Sequence, residues 1–222
     1  RADIDALTMQ EENDFEFAST VPGRMHACVH DGHIAILLSI ARLLSSLPER
    51  PWGEVRLLFQ PAEERLNGGA EGFLKAGVLD GVDLVLGMHL MTTVESGFVS
   101  VREGAVMAST DEFRITVRGR GGHAAFPHQA VDALVVAAQL VCELQTIVSR
   151  RIDPLEAAVL TVGSFHAGTA FNIIPEEAAL SGTVRTLSEA VRASMKQELD
   201  RVVSHGAAAL AAEATLDYID GN

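Results

Sequence analysis

The segment Val55-Arg-Leu-Leu-Phe-Gln-Pro-Ala-Glu-Glu64 is the clearest indication of the fold in the first half of the chain. Its apolar residues run together instead of alternating with polar ones, and Gln60-Pro61 closes the run. A second apolar run spans Val82–Leu86, and the apolar spacing predicts helices over His33–Leu47 and Gly69–Ala76. Apolar strands that alternate with helices are typical of a mainly parallel sheet covered by helices. We therefore expect an α/β domain.

The second half of the chain follows a different pattern. Residues Glu112–Arg118 alternate strictly between apolar and polar side chains, as a half-buried strand does. The elements predicted after it are a helix over Val131–Val148, strands over Ala157–Gly163 and Glu177–Thr186, a helix from an N-cap at Ser188 to about Leu210, and a strand over Ala214–Ile219. This order, β-α-β-β-α-β, is that of the ferredoxin-like split motif. We expect two domains, 1–107 and 108–222.

The helix predicted over Val131–Val148 is amphipathic. The residues expected to form its core-facing stripe are Val131, Leu134, Val135, Ala138, Val141 and Cys142. We accordingly expect Cys142 to be a small buried core residue.

Composition and charge exclude several classes of protein. Of the 222 residues, 48% are hydrophobic and 21% are charged, a balance typical of a globular domain. The net charge is −13 and no basic face is visible, so we expect no nucleic-acid partner. No uninterrupted apolar run reaches the roughly 18 residues of a membrane span, so we expect no membrane partner. Cys28 and Cys142 cannot form a disulfide scaffold, and we expect a cytoplasmic protein.

The densest group of candidate ligands is His26-Ala-Cys-Val-His-Asp-Gly-His33. Thiolates and neutral imidazoles are preferred ligands of zinc and similar ions. A single residue separates Cys28 from His30, so one tight turn before the helix can direct both side chains at an ion. The alternative is a polar loop that contains histidines without a bound metal.

Further candidate ligands follow the two apolar strands of the first half. Glu63 and Glu64 follow the first strand, and His89 follows the second. Strand ends of one open sheet lie close together, so we expect these residues to converge with the Cys28–His30 turn on one ion or an ion pair. One glutamate can ligate the metal while the other serves as general base for a bound water. Taken singly, solvated glutamates and a loop histidine are the alternatives.

Two segments of the second half contain polar groups that suit anionic substrates. The glycine-rich segment Gly119–His128 includes His123, and it lacks the spacing of a phosphate-binding or dinucleotide-binding loop. Asn172 precedes Pro175, and Arg185 lies on the following predicted strand. Side chains of these two types can hold a carboxylate. Taken alone, a turn residue at Asn172 and a surface charge at Arg185 are the simpler interpretation.

Together these motifs resemble one known family. The motifs are RADIDAL (1–7), MHACVHDGH (25–33), FQPAEE (59–64), GMHL (87–90), GRGGHAAFPHQAVD (119–132), AFNIIPE (170–176) and GTVRTLSE (182–189). They resemble the metal-dependent amidohydrolases, which include hippurate hydrolases, N-acyl-amino-acid amidohydrolases and auxin-conjugate (indole-3-acetyl-amino acid) hydrolases. The resemblance extends over essentially the whole chain.

The resemblance implies a metallopeptidase-like α/β catalytic domain that binds two divalent ions (Zn, Mn, Co or Ni), and a ferredoxin-like lid that often forms a homodimer. It also implies that a metal-activated water hydrolyses the amide bond of small N-acyl amino acid substrates. The resemblance implies that four residues bind the metals: Cys28 (as the bridge), His30, Glu64 and His89. It implies that Glu63 is the general base and that His123 of a partner subunit stabilises the tetrahedral intermediate. It further implies that Asn172 and Arg185 bind the substrate carboxylate, and that Asp3 and Asp5 support the metal site from behind.

The sequence departs from the family pattern in two places. Val29 stands between Cys28 and His30, where the family usually has glycine. The family's last metal ligand, a histidine near its C-terminus, has no counterpart here, so we expect the chain to be the central part of a longer enzyme. Two alternatives follow: a catalytically incomplete module for dimerisation and metal binding, and a cysteine hydrolase in which His30 activates Cys28.

Overall fold

The protein is described by a computed structural model that covers residues 1–49, 53–65 and 68–221. The backbone divides into two compact units, Arg1–Val101 (unit 1) and Arg102–Asn222 (unit 2). The break between the units lies upstream of the domain boundary expected from the sequence, between residues 107 and 108.

Unit 1 is built around one long helix and a short parallel strand pair. Strand β1 (Ala2–Asp3) pairs in parallel with β2 (Phe59–Gln60). Helix α1 (His30–Ser46) packs against β1, and helix α2 (Gly69–Lys75) follows β2. The mixture of helices and parallel strands agrees with the predicted α/β class.

The two apolar strands predicted for unit 1 form only in part. Of the first, only Phe59 enters a strand, and Val82–Leu86 forms no strand in the described part of the chain. A strand requires a ladder of hydrogen bonds to a neighbour. Among residues 1–49, 53–65 and 68–101 the only strand pair is β1–β2, although the backbone oxygen of Leu86 accepts a 2.9 Å hydrogen bond from the Arg1 amino group. Several apolar side chains of the two predicted strands are correspondingly exposed, with Leu84 and Leu86 both at 72%. Within the described residues, the parallel sheet therefore consists of β1 and β2.

Unit 2 contains the six elements that the sequence predicts, in the predicted order, with two short strands, Gly122–His123 and Ile173–Ile174, in addition. Its elements are β3 (Asp111–Arg118), β4 (Gly122–His123), α3 (Ala133–Arg151), β5 (Ala158–Ala167), β6 (Ile173–Ile174), β7 (Glu177–Thr186), α4 (Glu189–Ala209) and β8 (Glu213–Ile219). The long strands form an antiparallel sheet in the order β5-β7-β3-β8, and β4 pairs with β6 outside it. Both helices pack on one face of the sheet, so Phe113, Ile115 and Val117 are fully buried, as their alternation predicts.

The core-facing stripe predicted for α3 is wrong for four of its six residues: Val131 and Val141 pack against the core, but the other four are exposed. The buried residues of this helix are Ala133, Val136, Ala137, Leu140, Leu144 and Ile147. Leu134 and Val135, which were expected to face inward, are 40% and 55% exposed, and Cys142 is exposed instead of buried. Because α3 has apolar side chains on both faces, the periodicity could not identify the face that packs on the sheet.

Helix α3 is also long and apolar enough to span a membrane, by length and composition alone. The sequence contains no uninterrupted apolar run here, but the mean hydropathy of the helix is high enough for a membrane span. Its buried residues lie in the core of unit 2, as those of a helix in a globular domain do.

A buried carboxylate connects the two ends of unit 2. Asp111, at the start of β3, is 0% exposed. It accepts hydrogen bonds from Arg192 Nε (2.9 Å), from the Tyr218 hydroxyl (2.7 Å) and from the Gly221 backbone N–H (2.9 Å). Burial by itself would raise the pKa of Asp111, but these hydrogen bonds and the Arg192 charge lower that pKa below its ordinary value.

Candidate metal centre

His30 lies at the centre of the predicted metal site. It is the first residue of α1 and is 1% exposed. Its Nδ1 lies 3.0 Å from the backbone oxygen of Asp5, to which it can only donate a hydrogen bond. Nε2 is therefore left as the acceptor atom, and it is buried with no hydrogen-bond partner in the described part of the chain. Nε2 lies 3.8 Å from Glu63 Oε2 and 3.9 Å from Glu64 Oε1.

Asp5 holds the acidic turn beside His30. Its two carboxylate oxygens accept hydrogen bonds from the backbone N–H groups of Glu63 (3.0 Å) and Glu64 (3.1 Å). Burial opposes ionisation, but these two backbone hydrogen bonds and the nearby His30 lower the pKa of Asp5 overall. Asp5 thus binds the backbone of both glutamates, and its role in supporting a metal site stays a prediction.

Cys28 and His89 complete the group. Cys28 Sγ lies 3.4 Å from His89 Nε2, and His89 Nδ1 lies 2.7 Å from the Leu90 carbonyl oxygen, to which it donates. Cys28, His30 and His89 each offer a ligand atom within 4.8 Å of the others, and so do His30, Glu63 and Glu64. The structure thus brings the four predicted ligands and Glu63 together around His30 Nε2. Their assignment as ligands stays a prediction.

Several acidic groups lie close together beside His30. Burial, followed by the Glu64 and Glu63 carboxylates, raises the pKa of the Cys28 thiol to about 11. Burial, followed by Asp3 and Glu64, also raises the pKa of Glu63. A divalent cation would offset this repulsion and favour the thiolate. A raised thiol pKa disfavours the alternative in which Cys28 acts as a nucleophile, and the imidazole nearest to its sulfur belongs to His89 instead of His30.

The residues present fit a divalent metal. His30 Nε2 is buried without a hydrogen-bond partner among the described residues, and two groups of possible ligands share His30: Cys28 with His89, and Glu63 with Glu64. This donor set is typical of Zn²⁺ sites, and imidazole ligands also suit other divalent first-row metals such as Co²⁺ and Ni²⁺.

Left-handed backbone conformations flank the ligands. Val29, between Cys28 and His30, has φ 62°, and Ala62, directly before Glu63, has φ 53°. Neither residue is a glycine, and β-branched valine is especially unfavourable in this region. Strained residues of this kind cluster at functional sites, where the surrounding structure holds them.

His33 has a place in the site that the sequence analysis did not assign. It lies one turn after His30, is 1% exposed, and accepts a 3.0 Å hydrogen bond at Nε2 from the Leu90 backbone N–H. Its Nδ1 lies 3.5 Å from Asp3 Oδ2, while Asp3 also forms an ion pair with Arg1. Burial, followed by the neighbouring His89 and His30, lowers the pKa of His33. In the sequence, the only signal of this role is the spacing of three residues from His30.

The three predicted site residues of unit 2 lie in two places. His123 in β4 pairs with Ile173, and the carbonyl of Asn172 accepts a 3.1 Å hydrogen bond from Ala124, so His123 and Asn172 are close neighbours. Arg185 lies near the opposite end of β7, where it hydrogen-bonds to the Thr110 hydroxyl. A strand rises about 3.3 Å per residue, so roughly 26 Å of β7 separates Arg185 from the Asn172 end. Their roles in substrate binding stay predictions.

Comparison with known proteins identifies the family. The model of Peptidase family M20/M25/M40 matches residues 1–212. The chain belongs to this family. The metal-dependent amidohydrolase resemblance seen in the motifs is thereby confirmed at the level of the family.

Several M20 relatives resemble the chain along nearly its whole length. It is 52% identical over 212 residues to an N-acyl-L-amino acid amidohydrolase of Geobacillus stearothermophilus, which covers 93% of this chain and 57% of that protein. It is 42% identical over 220 residues to IAA-amino acid hydrolase ILR1-like 4 of Arabidopsis thaliana, covering 99% of this chain and 50% of that protein. The chain thus spans about half the length of these curated relatives.

A solved M20 structure is similar in fold. The crystal structure of the YXEP protein of Bacillus subtilis, described as a dinuclear metal-binding peptidase, has a TM-score of 0.81 and 37% identity. The likeness covers 99% of this chain and 56% of that one.

Proposed function

We propose that the protein containing this chain is a metal-dependent amidohydrolase that cleaves the amide bond of N-acyl amino acids. The observation that carries the proposal is the convergence of Cys28, His89 and Glu64 on His30 Nε2, which is buried and has no hydrogen-bond partner in the described part of the chain. The relatives named above act, by their names, on N-acyl-L-amino acids and on IAA-amino acid conjugates. We further propose Zn²⁺ or Mn²⁺ as the metals, and a cytoplasmic location.

Four side chains would hold the metals: Cys28, His30, Glu64 and His89. When bound, divalent ions at this position would lower the pKa of a water molecule and polarise the amide carbonyl. Glu63 takes the proton from the attacking water and transfers it to the leaving amine nitrogen. Asp5 fixes Glu63 for this task, because its carboxylate binds the Glu63 backbone N–H. His123 stabilises the negative charge that develops on the carbonyl oxygen.

We propose that a homodimer completes the substrate site. Asn172 and Arg185 lie at opposite ends of β7, so one copy of unit 2 cannot place both on the same small carboxylate. Two copies can supply the two ends, which agrees with the implied approach of His123 from a partner subunit.

Loss and restoration of metal tests the proposed function. We expect a chelator to abolish hydrolysis of N-acetyl amino acids by the full-length protein, and added Zn²⁺ or Mn²⁺ to restore it. Hydrolysis is measured by amine release, and metal content by elemental analysis. Hydrolysis that survives complete metal removal would contradict the proposal. A metal-loaded, folded protein without any amidase activity would favour the incomplete module instead.

The dimer surface that we propose combines β5 with the outer face of α3. Strand β5 is an edge of the sheet, and its sequence AVLTVGSFHA contains no proline, lysine or acidic residue to protect that edge. The other edge strand, β8, carries Glu213 and Asp217. Beside β5, helix α3 exposes Leu134 and Val135. A second copy of the chain would cover both features across a two-fold axis.

Charge placed on α3 should separate the two copies. We expect Leu134→Glu combined with Val135→Glu to convert the full-length dimer into monomers, because each copy would bury two carboxylates at the interface. Light scattering after size-exclusion chromatography measures the mass. The control is Ala193→Glu on the exposed side of α4, which should remain dimeric. A variant that keeps the dimer mass would show that this face is not the interface.

A further inference from the structure

His33 is a buried histidine that the proposed reaction does not use. We propose that His33 is a positioning residue, which holds His89 in its ligand orientation through the backbone of Leu90. The inference depends on the proposed metal-dependent function, because it assigns His89 to the metal.

The first step is the tautomer of His33. Its Nε2 accepts the Leu90 N–H at 3.0 Å, so this nitrogen cannot bear a proton. In the neutral ring the proton is therefore on Nδ1, which lies 3.5 Å from Asp3 Oδ2. Asp3 is 2% exposed, so its carboxylate favours this tautomer in a site with little water.

The second step connects Leu90 to His89. The N–H of Leu90 is held by His33, and its carbonyl accepts from His89 Nδ1 at 2.7 Å. His89 Nε2 then faces Cys28 Sγ at 3.4 Å. Loss of the His33 acceptor would free the Leu90 backbone, and the ring of His89 would lose its fixed direction.

Packing reinforces this connection. A Cβ added at Gly32, the residue before His33, would lie only 2.4 Å from Leu90 Cδ1. The rings of His33 and His89 are 4.6 Å apart in an edge-to-face arrangement. The first turn of α1 and the segment around Leu90 are therefore in direct contact, and a change in one is transmitted to the other.

Cobalt binding to full-length, metal-stripped protein tests the role of His33. Outer partners of metal ligands typically contribute 10–100-fold to metal affinity, so we expect His33→Leu to bind Co²⁺ about 10–100-fold more weakly than the wild type. His33→Gln should recover part of the affinity, because its amide oxygen can accept the Leu90 N–H. The thiolate–Co²⁺ absorption band should shift in the Leu variant and move back in the Gln variant. The control His205→Leu removes an exposed imidazole on α4.

The outcomes separate this inference from the proposed function. A wild type that binds no Co²⁺ would remove the proposed function itself. A wild type that binds Co²⁺, with a folded Leu variant of equal affinity and unchanged spectrum, would overturn the role of His33 alone. Should His33→Leu fail to fold, ¹⁵N NMR of metal-free wild type decides the question: a proton on Nδ1 supports the inference, and a proton on Nε2 overturns it.

Discussion

Glu63→Gln is expected to lower kcat for N-acyl amino acid hydrolysis by about 10²–10⁴-fold in the full-length protein, the usual contribution of a general base. Glutamine keeps the size and the backbone contact with Asp5, but it cannot take a proton from water. Glu63 Oε2 lies 3.8 Å from His30 Nε2, which places the carboxylate beside the candidate ligands. The measurement is steady-state kinetics with the metal-saturated enzyme.

The matched control for this variant is Glu71→Gln. Glu71 lies on α2 of the same unit, is exposed, and pairs with Lys75, so its replacement should leave kcat unchanged. Metal content is measured in parallel. Wild-type kcat in a metal-loaded Glu63→Gln protein would remove the general-base assignment, whereas loss of bound metal would make Glu63 a ligand.

Local motifs explain why much of the candidate site could be predicted. Cys28 and His30 share one turn, and Glu63 and Glu64 follow one strand, so short spacings already place their side chains together. The role of His33 could not be derived in this way. Its partner Leu90 is 57 residues further along the chain, and the interaction uses a backbone N–H, which no residue type signals.

For the fold, the prediction was reliable where an element has apolar side chains on one face and unreliable where it has them on both. Phe113, Ile115 and Val117 were placed correctly, because the intervening side chains of β3 are polar. Helix α3 offers an apolar stripe on each side, so the sequence could not show which stripe contacts the sheet. Leu134 and Val135, which the pattern wrongly places in the core, are exposed, and the proposed dimer interface gives them a role.

Val29 lies in a strained turn between the predicted ligands Cys28 and His30. The sequence shows valine where the family usually has glycine, and the structure places Val29 at φ 62°. Such a conformation costs of order 1–3 kcal/mol. The Val29 N–H donates to the His26 carbonyl at 3.0 Å, and its own carbonyl accepts from Gly32 and His33. These backbone bonds hold the strained turn, and with it the Cys28–His30 ligand pair.

Arg192→Met is expected to destabilise the protein by about 3–5 kcal/mol, the usual effect of removing one partner of a buried ion pair. The change leaves the fully buried Asp111 carboxylate without its charged partner. Chemical denaturation followed by circular dichroism measures the free energy of unfolding. The control is Arg201→Met on the same helix, which breaks an exposed pair with Glu198 and should change stability little. No motif indicates this pair, because Arg192 is 81 residues from Asp111.

The pH dependence of stability provides an independent check on the same carboxylate. Because the pKa of Asp111 is lower in the folded state, its contribution is fully present above the ordinary carboxyl pKa of about 3.9. The contribution is lost as the pH falls below that value, through the lower pKa of the folded state. We therefore expect the free energy of unfolding of the wild type to fall more steeply below about pH 4 than that of Asp111→Asn. Parallel acid profiles for the two proteins would show that Asp111 is not held as a carboxylate by Arg192 and Tyr218.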